Sequence, residues 1–137
     1  MQDTICKSCN LHIEGLWKIL RVEDKLRTPD EQKGAIFRIS EIKANSLKIQ
    51  TEGSSTVPIQ KTAFVAALHY LRQNQHNSSN KCEIRSSSDP AVSGPLCRVS
   101  RKYNNGVRCI NYILPILASH GIVSIDGTRP NRTWTAC

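Results

Sequence analysis

Residues 104–137 constrain the fold of this chain more than any other part of the sequence. They open with a polar Asn-Asn-Gly turn, after which apolar residues recur at helical spacing up to Leu117 and predict an amphipathic helix. Gly121 can adopt the left-handed conformation that ends a helix. Two runs that favour strands follow, at 122–125 and 132–136, and a turn-rich loop with Arg129 at its tip separates them.

Proline complicates this helix. Pro115 lies inside the apolar stripe, where its ring removes a backbone donor and clashes with the preceding turn. We therefore expect either a kink at Pro115 or a regular helix that is shorter than the stripe. Upstream, residues 95–103 form a further predicted helix, because Pro95 suits a first helical position.

The first half of the chain predicts a small sheet followed by a helix. Alternating apolar residues predict strands at 35–42, 46–51 and 56–60, and the apolar spacing of 62–73 predicts a helix. The earlier segment 11–22 fits both a helical stripe and a strand, and we favour a strand from Trp17 onward. Residues 23–34 are charged and contain Pro29 and Gly34, which predicts a loop.

Together these elements predict an α+β fold with three parts. A small α+β module with an antiparallel sheet and a helix spans 1–74, and a polar linker or loop spans 75–94, with a short strand near 82–85. The helix, turn, helix and hairpin pattern described above fills residues 95–137. A length of 137 residues is compatible with one domain or with two small ones.

Charge favours a polyanionic partner. The formal net charge is +8, and residues 75–137 hold eight Lys and Arg against three Asp and Glu, whereas residues 1–74 hold eleven against eight. Six of the eight cations in the second half are arginine, whose planar fork suits phosphates and guanine edges. Aromatic residues make up only 5% of the chain, which argues against stacking on single-stranded nucleic acid.

The pattern from Pro95 to the end resembles winged helix-turn-helix DNA-binding domains. The resemblance implies binding of double-stranded DNA, with a helix in the major groove and a wing on the flanking backbone or minor groove. The residues that it places at the DNA are polar or cationic: Arg101, Lys102, Asn104, Asn105, Arg108, Asn111, Arg129, Asn131 and Arg132. For Asn104 and Asn105 a helix-capping turn is an equal alternative.

The first half is also similar to small accessory modules of bacterial restriction endonucleases. The feature that carries this similarity is a proline-containing strand, Val57-Pro58-Ile59, that runs into the helix ending near Leu71. The similarity would make the chain the target-reading part of a larger enzyme whose nuclease domain lies elsewhere in a longer parent chain. The other DNA-binding alternative is a transcriptional regulator, and a third is a winged helix that docks another protein.

A fourth alternative is a small Mg²⁺-dependent nuclease. Asp30 after Pro29, followed by Glu41 and Lys43, spells the PD and ExK pattern in which two carboxylates hold the metal and the lysine assists the water. Asp30 lies in a hydrophilic segment, however, and Glu41 and Lys43 also suit solvent-facing positions before a turn. We therefore assign no catalytic residue to this chain and consider it non-catalytic.

The remaining signals predict no metal, no cofactor and no membrane partner. Cys6 and Cys9 form the one close cysteine pair, and a zinc site would need His12 and a distant cysteine in addition. No apolar run approaches membrane-spanning length, and the N-terminus lacks a signal-peptide pattern, so we expect a cytoplasmic protein.

Overall fold

A computed structural model describes residues 7–87, 89 and 91–136. Within these residues the fold is α+β, as predicted, with four helices, a four-stranded sheet and a three-stranded sheet. In chain order the elements are α1 (Lys7–Ile19), β1 (Lys25–Arg27), β2 (Ile36–Ile42), β3 (Ser46–Thr51), β4 (Thr56–Gln60), α2 (Lys61–Gln73), β5 (Cys82–Glu83), α3 (Pro95–Lys102), α4 (Ile110–Ser119), β6 (Val123–Asp126) and β7 (Arg132–Thr135).

The larger sheet is antiparallel throughout, in the order β1-β2-β3-β4. Side chains alternate between the two faces of a strand, and one face of this sheet supplies Phe37, Ile39, Leu47, Ile49 and Ile59 to the core. The three predicted strands of this region are confirmed to within one residue. The segment predicted as a loop at 23–34 also contributes β1, which pairs with the outer edge of β2.

The strand predicted from Trp17 onward is wrong, because residues 17–19 are the end of helix α1 and residues 20–24 form no strand. Ile13 and Leu16 are buried, as is Leu20 just after the helix, so the helical stripe determines the conformation. Trp17 packs edge-to-face against Phe64 of α2 at a centroid distance of 5.1 Å. This tertiary contact favours the helix over the β propensity of the residues that follow Trp17.

Helix α2 joins the two halves of the molecule. The helix predicted at 62–73 is confirmed, and its residues from Ala63 to Leu68, together with Leu71, are buried. The helix contacts α1 on one side and α3 on the other. Buried side chains of both halves form one continuous cluster. The boundaries proposed at 75–94 remain a prediction, but the parts on either side of them share a core.

The second half follows the predicted order of elements. The small sheet has the order β5-β7-β6, so β7 lies between the strand that precedes α3 and the strand that follows α4. Gly121 has a φ of +74° and follows the end of α4, as its position predicted. Regular helix begins only at Ile110, although the stripe starts at Val107, so the helix is shorter at its N-terminal end than the stripe, and Pro115 lies inside it.

Candidate nucleic-acid interface

Most of helix α4 is covered by the rest of the protein. Apart from Asn111 and Tyr112, its residues from Ile110 to Leu117 are buried, and the helix sequence contains no charged residue. Tyr112 meets Phe37 of the large sheet edge-to-face at 5.1 Å. The middle of α4 therefore cannot lie in a DNA groove, whereas its N-terminal end, near Arg108 and Asn111, is partly exposed.

The turn between α3 and α4 exposes a cationic, polar surface. Lys102, Asn105 and Val107 are exposed, and Arg101 is partly buried. Asn105 and Gly106 have φ values of 55° and 80°, and such consecutive left-handed residues are typical of glycine and asparagine. The Arg101 guanidinium donates to the carbonyl of Gly106 at 3.2 Å, which holds the turn in place.

Asn104 holds the structure together from within this turn. Its side chain is only 2% exposed. Its Oδ1 accepts from the backbone N–H of Gln60 at 2.7 Å, and its Nδ2 donates to the carbonyls of Pro58 at 3.0 Å and Val107 at 3.1 Å. These bonds engage both the oxygen and the nitrogen of the side-chain amide. The geometry therefore favours a structural role for Asn104 over contact with a base.

The loop between β6 and β7 is bound to the first half of the chain. Arg129 donates from Nε and Nη2 to Oδ2 of Asp30, at 3.1 and 2.8 Å. The backbone N–H of Glu31 donates to the Gly127 carbonyl at 3.0 Å. Asn131 donates to the carbonyl of Gly127 at 2.9 Å and so closes the loop internally. The Arg129 guanidinium, together with a backbone bond from Gln32, holds the pKa of Asp30 below its usual value.

Arg132 lies between two carboxylates. The register of the small sheet places Arg132 directly across from Glu83 on β5 and from Asp126 on β6, so all three side chains share one face. Its Nε is buried without a hydrogen-bond partner among the described residues. Negative charge on both neighbouring strands therefore offsets the charge of Arg132, which makes it less attractive to a polyanion.

A polar cleft of about 440 Å³ joins the loop after β1, the loop after β5, the N-terminal end of α4 and the β6–β7 loop. The side chains in its lining that carry a charge or an amide group are Asp30, Lys33, Arg85, Asn111, Arg129 and Asn131. Sequence reasoning selected three of these, Asn111, Arg129 and Asn131. It missed Lys33 and Arg85, because both lie in irregular segments where no periodicity indicates which way a side chain faces.

The predicted nuclease pattern does not come together as one metal site. Glu41 pairs with Lys43 at 3.3 Å and with Lys48 at 3.7 Å, and Lys43 is the main cause of its lowered pKa. Thr28 bonds to Ala35 at the other end of β2 from Glu41. At about 3.3 Å per residue these ends are roughly 20 Å apart. Asp30 lies beyond the Ala35 end, so the two carboxylates cannot bind the same ion.

The described cysteines are buried thiols. Cys9, Cys82, Cys97 and Cys109 are buried and form no disulfide with one another. Burial raises the pKa of Cys82 to about 11 and that of Cys109 to about 12, which disfavours the reactive thiolate. Cys6 lies outside the described residues, and those residues contain no cluster of three metal-ligating side chains.

By fold, then, the molecule is an α+β protein with a cationic surface in its second half and a polar cleft between loops of both halves. Comparison with protein-family models, curated proteins and solved structures found no match to this chain. Of the helices in the described part of the chain, none has the length and apolar character needed to cross a bilayer.

Proposed function

We propose that this protein binds double-stranded DNA through its second half. The observation that carries the proposal is the topology from α2 to β7. The order is helix, strand, helix, helix, strand, strand, and β7 pairs with both β5 and β6. Winged helix-turn-helix domains use this order of elements and this order of strands, with α4 in the place of the recognition helix and the β6–β7 loop as the wing.

The charges around this framework support a polyanionic partner. Lys102 is exposed at the C-terminal end of α3, and Arg108 is partly exposed just before α4. Arg85 and Lys33 line the cleft beside the wing, where the Arg129 side chain is 46% exposed. Cations arranged in this way displace counterions from a duplex and so contribute affinity that does not depend on sequence.

The burial of α4 restricts how the duplex can be read. In helix-turn-helix proteins the N-terminal residues of the recognition helix contact base edges, so a helix with a covered body can still read DNA from its end. Arg108 and Asn111 are three residues apart at this end and suit guanine and adenine edges respectively. Lys102 and Arg129 then contact phosphates on either side, which positions the protein without selecting a sequence.

The finer proposal is that the chain reads the target site of a restriction endonuclease. It depends on the similarity of the first half to accessory modules of such enzymes. The separation of Asp30 from Glu41 argues against the alternative in which these two carboxylates form a nuclease site. A methyltransferase gene beside the gene for this protein would favour a restriction system over a transcriptional regulator.

Duplex binding at two salt concentrations tests the main proposal. We expect affinity for a labelled duplex of about two helical turns, measured by fluorescence anisotropy, to fall steeply between about 50 and 200 mM salt. A module that docks a neutral protein surface would show little DNA binding at either concentration. Binding that is absent at low salt would refute the proposal.

Two substitutions separate base reading from phosphate contact. Arg108→Ala should cost about 1–3 kcal/mol at one base pair of the preferred site, whereas Lys102→Ala should weaken all sequences alike and reduce the salt slope by about 1. Arg21→Ala is the matched control, because Arg21 is exposed and lies outside the proposed interface. Equal effects of Arg108→Ala and Arg21→Ala would exclude α4 as the reading element.

A further inference from the structure

The contact between Asp30 and Arg129 links residues 99 positions apart in the chain. Two donor nitrogens of the Arg129 side chain, Nε and Nη2, meet the same carboxylate oxygen of Asp30, and a backbone bond joins Glu31 to Gly127 in the same two loops. A Cβ on Gly127 would come within 2.8 Å of the Pro29 carbonyl, so the tip of the wing packs directly on the loop. The first half of the chain thus places an anion on the wing arginine.

The surroundings of this pair suit a larger anion. Asp30 contributes a single carboxylate to a cleft that Lys33, Arg85 and Arg129 line with positive charge. An arginine fork binds carboxylate and phosphate with the same geometry. Because the Arg129 side chain is 46% exposed and that of Asp30 is 23% exposed, the pair is weak enough for another anion to replace.

We propose that the Asp30 carboxylate occupies the position of a DNA backbone phosphate on Arg129, and that duplex binding exchanges one for the other. This inference rests on the proposed DNA-binding function. In the free protein the Asp30 carboxylate neutralises the charge of Arg129. In the complex the phosphate binds the Arg129 guanidinium instead, and Lys33 and Arg85 flank the phosphate. Asp30 therefore weakens binding of every duplex, whatever its sequence.

Asp30→Asn tests the exchange, with Glu31→Gln as its matched control. Both substitutions remove one negative charge at neighbouring positions, but Glu31 contacts the wing through its backbone N–H. The asparagine keeps an acceptor for the Gln32 N–H that bonds to Asp30 at 3.1 Å. At about 0.1 M salt we expect Asp30→Asn to tighten duplex binding about two- to fivefold, and Glu31→Gln to tighten it clearly less.

A double-mutant cycle assigns the effect to Arg129. In an Arg129→Ala background, Asp30→Asn should gain no more than Glu31→Gln gains, because the guanidinium that distinguishes them is absent. Thermal melts of each variant check that it is folded. Equal gains from Asp30→Asn and Glu31→Gln in the parent protein would overturn the exchange and leave DNA binding intact. If no variant binds duplex at low salt, the DNA-binding function itself fails.

Discussion

At the scale of single residues, the same residue type has different roles in one turn. Asn104 and Asn105 are adjacent, and sequence reasoning could not separate them. Asn104 is buried and bonded to the junction between β4 and α2, whereas Asn105 is exposed with a left-handed backbone. The difference arises from a partner 44 positions earlier in the chain, Gln60, which no local pattern reveals.

We therefore expect Asn104→Ala to destabilise the protein by about 1–3 kcal/mol, because it removes a buried side chain and its hydrogen bonds to the partly buried Gln60 N–H and the Pro58 carbonyl. Asn105→Gly is the control, since glycine adopts a left-handed φ without penalty, and it should change stability by less than about 0.5 kcal/mol. Urea denaturation measures both. An Asn104→Ala protein of parental stability that loses discrimination at an A·T pair would instead establish Asn104 as a base contact.

At the scale of elements, helix α1 shows where local patterns fail. The sequence of residues 17–22 is compatible with both the helical period and the strand period. Only packing against α2 distinguishes the two conformations. The three strands at 36–42, 46–51 and 56–60 were predictable because their alternation is clear and turn residues separate each strand from the next. The three-residue strand β1 was not, because it is too short to show a period and depends on β2 for pairing.

Substitution of Gly15 tests the assignment of α1, and substitution of Gly121, which follows the end of α4, provides the contrast. Gly15 lies in the middle of α1 and is exposed, and a Cβ at this position would meet no atom within 4 Å, so Gly15→Ala should stabilise the protein by about 0.5–1 kcal/mol. Gly121 has equally open space but a φ of +74°, so Gly121→Ala should destabilise it by about 1–2 kcal/mol. Chemical denaturation gives both values. A destabilising Gly15→Ala would mean that this segment is not helical in solution.

At the scale of the whole molecule, sequence reasoning recovered the order of elements in the second half and failed on how the halves meet. The cleft needs Lys33 and Arg85 beside Arg129, and these residues come from three separate irregular segments. Burial of α4 under the large sheet was also beyond prediction, because an apolar stripe shows that a helix packs without showing what it packs against. Such long-range contacts determine which of the predicted site residues can reach a duplex.

The shared core predicts that the protein unfolds in one step. Each half has its own tryptophan, Trp17 in α1 and Trp134 in β7, so Trp134→Phe and Trp17→Phe leave a fluorescent reporter in one half at a time. Because one continuous cluster of buried side chains spans both halves, we expect fluorescence and far-ultraviolet circular dichroism to give the same urea midpoint within each variant. Comparing the two probes within a variant matters, since removing Trp17 also removes its contact with Phe64 and lowers stability by itself. Midpoints that separate in either variant would show that the halves unfold independently, and Arg129 could then leave Asp30 by separation of the halves rather than by exchange with a phosphate.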